Sequence, residues 1–138
     1  MSRKLLGMFI LATVLVLIVG GCASSNKIPV LKGGYQSENI NGYFVQISFQ
    51  PDNNSFIKYI NNREVDRGTY EKLANGVYKI NGDMRGFEIT LSEDNSFDII
   101  VKKLNDGKPI TIKNVDKTPV YFLTEYDDLE EYKSLLEE

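Results

Sequence analysis

From Tyr43 onward, apolar side chains recur at every second position. Tyr43, Val45, Ile47 and Phe49 alternate with Phe44, Gln46 and Ser48, and the period returns at Phe87-Ile89-Leu91, Phe97-Ile99-Val101 and Ile110-Ile112. Successive side chains of a strand point to opposite faces, so this period predicts strands with one buried face. Between the runs lie Pro51-Asp52-Asn53-Asn54, Asn61-Asn62, Asn75-Gly76, Asn81-Gly82-Asp83, Glu93-Asp94-Asn95 and Asn105-Asp106-Gly107. Asn, Asp and Gly accept the positive φ of tight turns, and Asn and Asp can cap the turn's own backbone. The pattern predicts eight short strands, at 42–50, 55–60, 65–72, 76–80, 86–92, 96–103, 109–114 and 119–123. Strands so close in sequence pair as an antiparallel meander, and eight of them can curl until first and last meet, which removes open edges. The expected fold is all-β: one small meander barrel or curled sheet with a short C-terminal α-helix.

Two local patterns refine this picture. Ile47 to Phe56 reads strand, Asp-Asn-Asn turn, Ser-Phe, strand, and Ile89 to Phe97 repeats that grammar one residue shorter. Either duplication or convergence on good turn chemistry accounts for the echo, which is too short for a repeat architecture. Near the C-terminus the period changes. Tyr126, Leu129, Tyr132, Leu135 and Leu136 fall on one helical face, predicting a helix over 125–137, with Thr124 and Asp127 spaced as a capping box.

The first residues form a separate unit. Arg3 and Lys4 precede an apolar run over 5–19, which ends in Gly20-Gly21-Cys22. A cationic end held in the cytoplasm, an apolar run that enters the bilayer and small residues before a cut describe a signal sequence. Val19-Gly20-Gly21-Cys22 resembles the lipobox of bacterial lipoproteins. The resemblance implies cleavage after Gly21, a diacylglyceryl thioether on Cys22 and anchoring on the extracytoplasmic face of the cell membrane, and two acyl chains hold firmly. Abundant Ile, Asn and Lys suit an AT-rich Gram-positive genome. The expected organisation is therefore a cleaved signal peptide at 1–21, a lipidated cysteine and tether at 22–32 and one domain at 33–138. Fully extended, a tether of this length reaches only about 35 Å, so the domain works close to the membrane.

Charge and composition then narrow the chemistry. Removing 1–21 takes away two bases and no acid, leaving 14 basic and 19 acidic residues. Seven of those acids stand in 125–138 against Lys133 alone, so an acidic face on the helix could meet a basic partner. No basic stripe exists to replace phosphate counterions, which argues against nucleic acid as a partner. With no His and one Cys there is no internal disulfide and no CxxC pair, and the usual general base and nitrogen ligand are missing. No Ser-x-x-Lys, glycosidase-like carboxylate pair or EF-hand spacing replaces them. The reading is non-enzymatic, with no metal and no cofactor.

Eight tyrosines and seven phenylalanines leave two functions open. Tyr43, Phe56, Tyr59, Tyr70 and Tyr78 come from neighbouring predicted strands and could crowd one end of a barrel, either as core or as the lining of a ligand site. Gly34-Tyr35 before the first clear strand, Gly68-Thr69-Tyr70, the hairpins and the C-terminal helix resemble the calycin group of lipocalins and lipocalin-like bacterial lipoproteins. That resemblance implies a carrier of a small apolar ligand. The Gly-x-Trp of lipocalins is not matched, because the chain has no Trp, and no binding residue carries over. A carrier needs a hollow of about 300 Å³ or more; an interior filled by Val45, Ile47, Phe87, Ile89, Phe97 and Ile99 would leave no room for one. The first reading is capture of an envelope protein or peptide at the cell surface, as in small immunity lipoproteins, which the short tether and acidic face also resemble; the carrier is the alternative.

Overall fold

The alternating runs form antiparallel strands in a computed structural model that describes residues 27–137. The strands are β1 (Gly33–Ser37), β2 (Val45–Gln50), β3 (Ser55–Ile60), β4 (Arg63–Ala74), β5 (Val77–Gly82), β6 (Gly86–Thr90), β7 (Ser96–Ile99) and β8 (Ile110–Asp116). A single helical turn, α1 (Lys102–Asn105), follows β7, and α2 (Leu129–Lys133) runs into a 3₁₀ turn, Ser134–Leu136. The hydrogen-bonded order is β6-β5-β4-β3-β2-β1-β8-β7, an eight-stranded, nearly closed barrel. β1 pairs with β8, which brings the two ends of the strand sequence side by side, whereas the expected first and last strands, 42–50 and 119–123, share no ladder. The meander is interrupted between β6 and β7, which share no ladder.

The eight strands are not the eight expected. β1 begins with Gly33 and Gly34, which carry no strand signal, but close packing requires them. A Cβ on Gly33, whose φ is +82°, would lie 2.1 Å from the Asp116 carbonyl oxygen. The predicted strand at 119–123 has no ladder; it crosses the outer face of the sheet. There the Val120 amide donates to Ser48 Oγ on β2 at 2.9 Å, and the Phe122 ring meets Tyr59 of β3 edge-on at 4.9 Å. The predicted strand 96–103 ends at Ile99 and turns helical. The predicted tether at 22–32 is, from Ile28 on, part of the packed body, because Ile28 packs on the core and Leu31 is buried.

The inner faces carry one core. Phe49 is its hub, with ring centroids 5.6 Å from Tyr35, 5.2 Å from Tyr70, 6.1 Å from Phe97 and 6.3 Å from Phe56. Each large apolar side chain so buried contributes about 1.5–3 kcal/mol. Val45, Ile47, Ile89, Phe97 and Ile99 are buried in this core and Phe87 is half-buried against it, so the middle of the barrel is filled. The C-terminal segment starts later than predicted. Asp128 rather than Thr124 precedes the helix, without a capping bond from its side chain, because that carboxylate is bound to Arg63.

Candidate functional site

The site follows from the missing ladder. The two echoing turns are built alike: Ser55 Oγ donates to Asn53 and Ser96 Oγ to Asp94, each at 2.6 Å, and Asn54 and Asn95 both take positive φ. After the first turn β2 and β3 zip together along six residue pairs. After the second, the strands part. The Leu91 amide donates to Gly76 and so stays with the β4–β5 turn, while Asn95 is held by Tyr35 Oη at 2.7 Å and by the Asn114 amide at 3.1 Å. The Ser92 amide still donates to the Ser96 carbonyl, after which a seam opens.

A cavity of about 340 Å³ occupies that seam. Gly86, Phe87 and Glu88 form one side, Asp98 to Lys102 with Pro109 the other, and Leu135 to Glu137 cover one end. Lys58 lines it from within. Its strand, β3, stands three places from β6 and four from β7 in the sheet order, so its side chain crosses the interior to reach the seam. Lys58 is only 3% exposed, and its amine sits 4.6 Å from the centroid of the Phe87 ring. Among the described residues no carboxylate or carbonyl partners that amine. Desolvation pushes it down to about 8, opposed by the charge of Asp66 and assisted by that of Arg85.

Asp66 is the cross-strand neighbour of Lys58 and is itself buried. Its carboxylate is engaged elsewhere. Oδ1 accepts from the amides of Arg67 and Met84 at 2.9 and 3.0 Å, and Oδ2 accepts from the Arg85 amide at 3.1 Å. The acid thus ties down the β5–β6 turn. Arg85, carried by that turn, donates from Nε to the Leu136 carbonyl at 2.7 Å and fixes the segment covering the cavity. Glu88, Asp98, Lys102 and Glu137 are exposed at the rim, with Asp98 accepting from Thr111 Oγ1 at 2.7 Å.

None of the five aromatics singled out from the sequence lines this cavity. Phe56, Tyr70 and Tyr78 come together around Phe49 inside the core, where burial pushes the Tyr70 hydroxyl up to about 12. Tyr59 is buried on the opposite, outer face beneath Phe122. Tyr43 packs edge-on against Tyr132, 6.1 Å away, at the C-terminal helix. Cys22 lies outside the described residues. Lys58 was missed although its signal was present: it falls in phase with Phe56 and Ile60, both inward.

The amine is a hydrogen-bond donor at the wall of the cavity, a group that can meet an acceptor there. Among the described residues no group of three or more acidic, Cys or His side chains could hold a metal ion. No protein-family model matches the chain, and comparison with curated proteins and with solved structures gives no match.

Proposed function

We propose that the chain is a lipid-anchored, non-enzymatic binding domain on the extracytoplasmic face of a bacterial membrane, and that it holds a small ligand in the seam between β6 and β7. The anchoring rests on Val19-Gly20-Gly21-Cys22. The ligand reading rests on one observation: a cavity of about 340 Å³ reached by the amine of Lys58, whose side chain is otherwise buried and whose amine meets no protein acceptor among the described residues, only the cavity. That volume is at the lower end of small-molecule sites, and its lining joins apolar residues such as Phe87, Ile99, Val101 and Leu136 to six charged ones, Lys58, Arg85, Glu88, Asp98, Lys102 and Glu137. The filled barrel removes the carrier site expected among the tyrosines, so the proposal does not rest on the calycin resemblance but on the seam beside the barrel.

Native against denaturing mass spectrometry of the protein purified gently from an envelope extract tests this. A small mass released only on denaturation, and displaced when Ile99→Trp fills the seam, is the expected result. A bare protein whose seam methyl resonances respond to no small molecule would sink it. Replacement of Cys22 by Ser should abolish fatty-acid labelling, and retained labelling would remove the anchor.

A second reading has its own observation. Glu125, Asp127, Glu130, Glu131 and Glu137 are all exposed along the C-terminal segment, a surface suited to a cationic protein or peptide. Binding of such a partner should weaken with salt and with charge reversal at Glu130 and Glu131; salt-independent binding would discard it.

A further inference from the structure

We infer that the seam ligand is a monoanion on an apolar body, a small carboxylate whose head group meets Lys58 Nζ while its body lies against Ile99, Val101 and Leu136. This rests on the seam reading above and names the chemical class that the seam selects.

The argument begins with what the amine lacks. A buried ammonium is costly unless an opposite charge and hydrogen-bond acceptors meet it. Lys58 is buried, and its cross-strand acid makes no bond to it: the Asp66 carboxylate is held toward the backbone amides of Arg67, Met84 and Arg85. The Phe87 ring face offers the amine a weak electrostatic contact and no acceptor. The three N–H groups of a lysine therefore have their acceptors to find in the cavity.

Sign and shape follow. At Lys58 the charge of Asp66 offsets part of the ammonium from a distance while Arg85 opposes it, so a cationic head group is repelled and a neutral one adds no charge to complete the compensation. The acids of the seam, Glu88, Asp98 and Glu137, are exposed at the mouth, where water screens them from a ligand head seated deep beside Lys58. Apolar wall residues adjoin the amine, since Ile99, Val101 and Leu136 all line the cavity and are buried. Charge at the floor with hydrocarbon above it matches an amphipathic acid better than a compact inorganic anion, which would keep its own hydration.

The test compares hexanoate with hexanamide, of like shape but neutral, on the full-length protein in zwitterionic nanodiscs, following the methyl resonances of Ile99 and Val101. A charge-assisted hydrogen bond predicts hexanoate binding about ten- to a hundredfold tighter than hexanamide. In Lys58→Met, which substitutes an apolar chain of similar length and retains the barrel, that preference should vanish while hexanamide binding persists. Equal binding of the two probes to the wild-type protein overturns the anion inference and leaves the seam site standing. Perturbation by neither probe overturns the seam site itself. A preference for hexanoate that survives in Lys58→Met places the anion elsewhere and overturns the role of Lys58.

Discussion

Lys58 and Asp66 face each other across the β3–β4 ladder without forming an ion pair. The ladder is irregular just there, shifting register between Lys58 and Tyr59. The carboxylate turns along β4 toward the amides of the β5–β6 turn, and the amine turns across the barrel toward Phe87. Two buried charges thus serve different ends: the acid organises the turn that carries Arg85, and the base is left facing the seam.

The separation has a cost that pH reveals. Lys58 is held near 8 in the folded chain against an ordinary 10.5, so the unfolded chain binds more protons between those values. Stability therefore rises with pH through that window and bears the full penalty below it, on the order of 3 kcal/mol. Other charged groups face or rim the same space: Asp66, Arg85, Glu88, Asp98, Lys102 and Glu137. Above pH 10 the sign reverses through Tyr35 and Tyr70, both held near 12, whose stabilising effect is lost as pH rises. Urea unfolding between pH 7 and 10 should show wild-type stability climbing and Lys58→Met flat and more stable at pH 7. Parallel curves would mean that the amine is solvated.

Gly82 tests the other partner. A Cβ there would stand 2.2 Å from Asp66 Oδ2 and 2.5 Å from the Arg85 carbonyl oxygen. Gly82→Ala must push the carboxylate off its amides, a change expected to cost about 1–3 kcal/mol. At Gly86, four residues on, the nearest atom is 3.7 Å away, and Ala should fall within about 0.5 kcal/mol of wild type. Thermal unfolding of the two variants separates them; equal losses would show that strand propensity, rather than the Asp66 contact, decides.

These relationships were unevenly legible in the sequence. The period of two placed Val45, Ile47, Phe49, Phe97 and Ile99 inside; the same phase runs through Phe56, Lys58 and Ile60, but a lysine at an inward position reads as an error until its strand is known to face a hollow, and Lys58 was passed over. β1 was hidden because Gly33 and Gly34 are selected for close approach rather than for side-chain burial. The segment at 119–123 has the right residues for a strand, but Val120 and Phe122 bury themselves face-on over β1 to β3, and local alternation does not distinguish face from edge. The seam was illegible for a related reason. The turns at Asn54 and Asn95 are chemically alike, and what parts β6 from β7 is the pull of Gly76 on one side and of Tyr35 and Asn114 on the other.

Phe49 carries the prediction for the core. Its ring touches Tyr35, Phe56, Tyr70 and Phe97, so truncation leaves a void bounded by four other rings that cannot all move in. Phe49→Ala should cost about 3–5 kcal/mol. Phe122→Ala removes a half-buried ring from the outer face and should cost less. Chemical denaturation gives both values, and the reverse ranking would mean that the outer strap, not the interior, holds the barrel.

Arg63 decides whether the C-terminal segment stays on the barrel. Its Nε donates to Asp128 Oδ1 at 3.0 Å and its Nη2 to Oδ2 at 2.9 Å, while the guanidinium lies 3.9 Å from the Tyr126 ring centre and 4.5 Å from that of Tyr132. Lysine has neither the two-pronged fork nor the flat face for stacking, so Arg63→Lys should behave more like Arg63→Ala than like wild type. Both should speed amide exchange at Leu129–Lys133 and leave Val45–Gln50 protected, since those amides belong to the barrel. The hydrogen bond from Arg63 holds the Asp128 carboxyl below its ordinary range, so its anchoring is present above an ordinary carboxylate value of about 4. It is lost as pH falls through the lowered folded value. Asp128→Asn should remove that pH dependence and loosen the segment at neutral pH. Because Leu136 and Glu137 follow directly and line the seam, the same variants should also weaken hexanoate binding. Loosening of the segment with unchanged ligand affinity would separate the C-terminal cover from the site it adjoins.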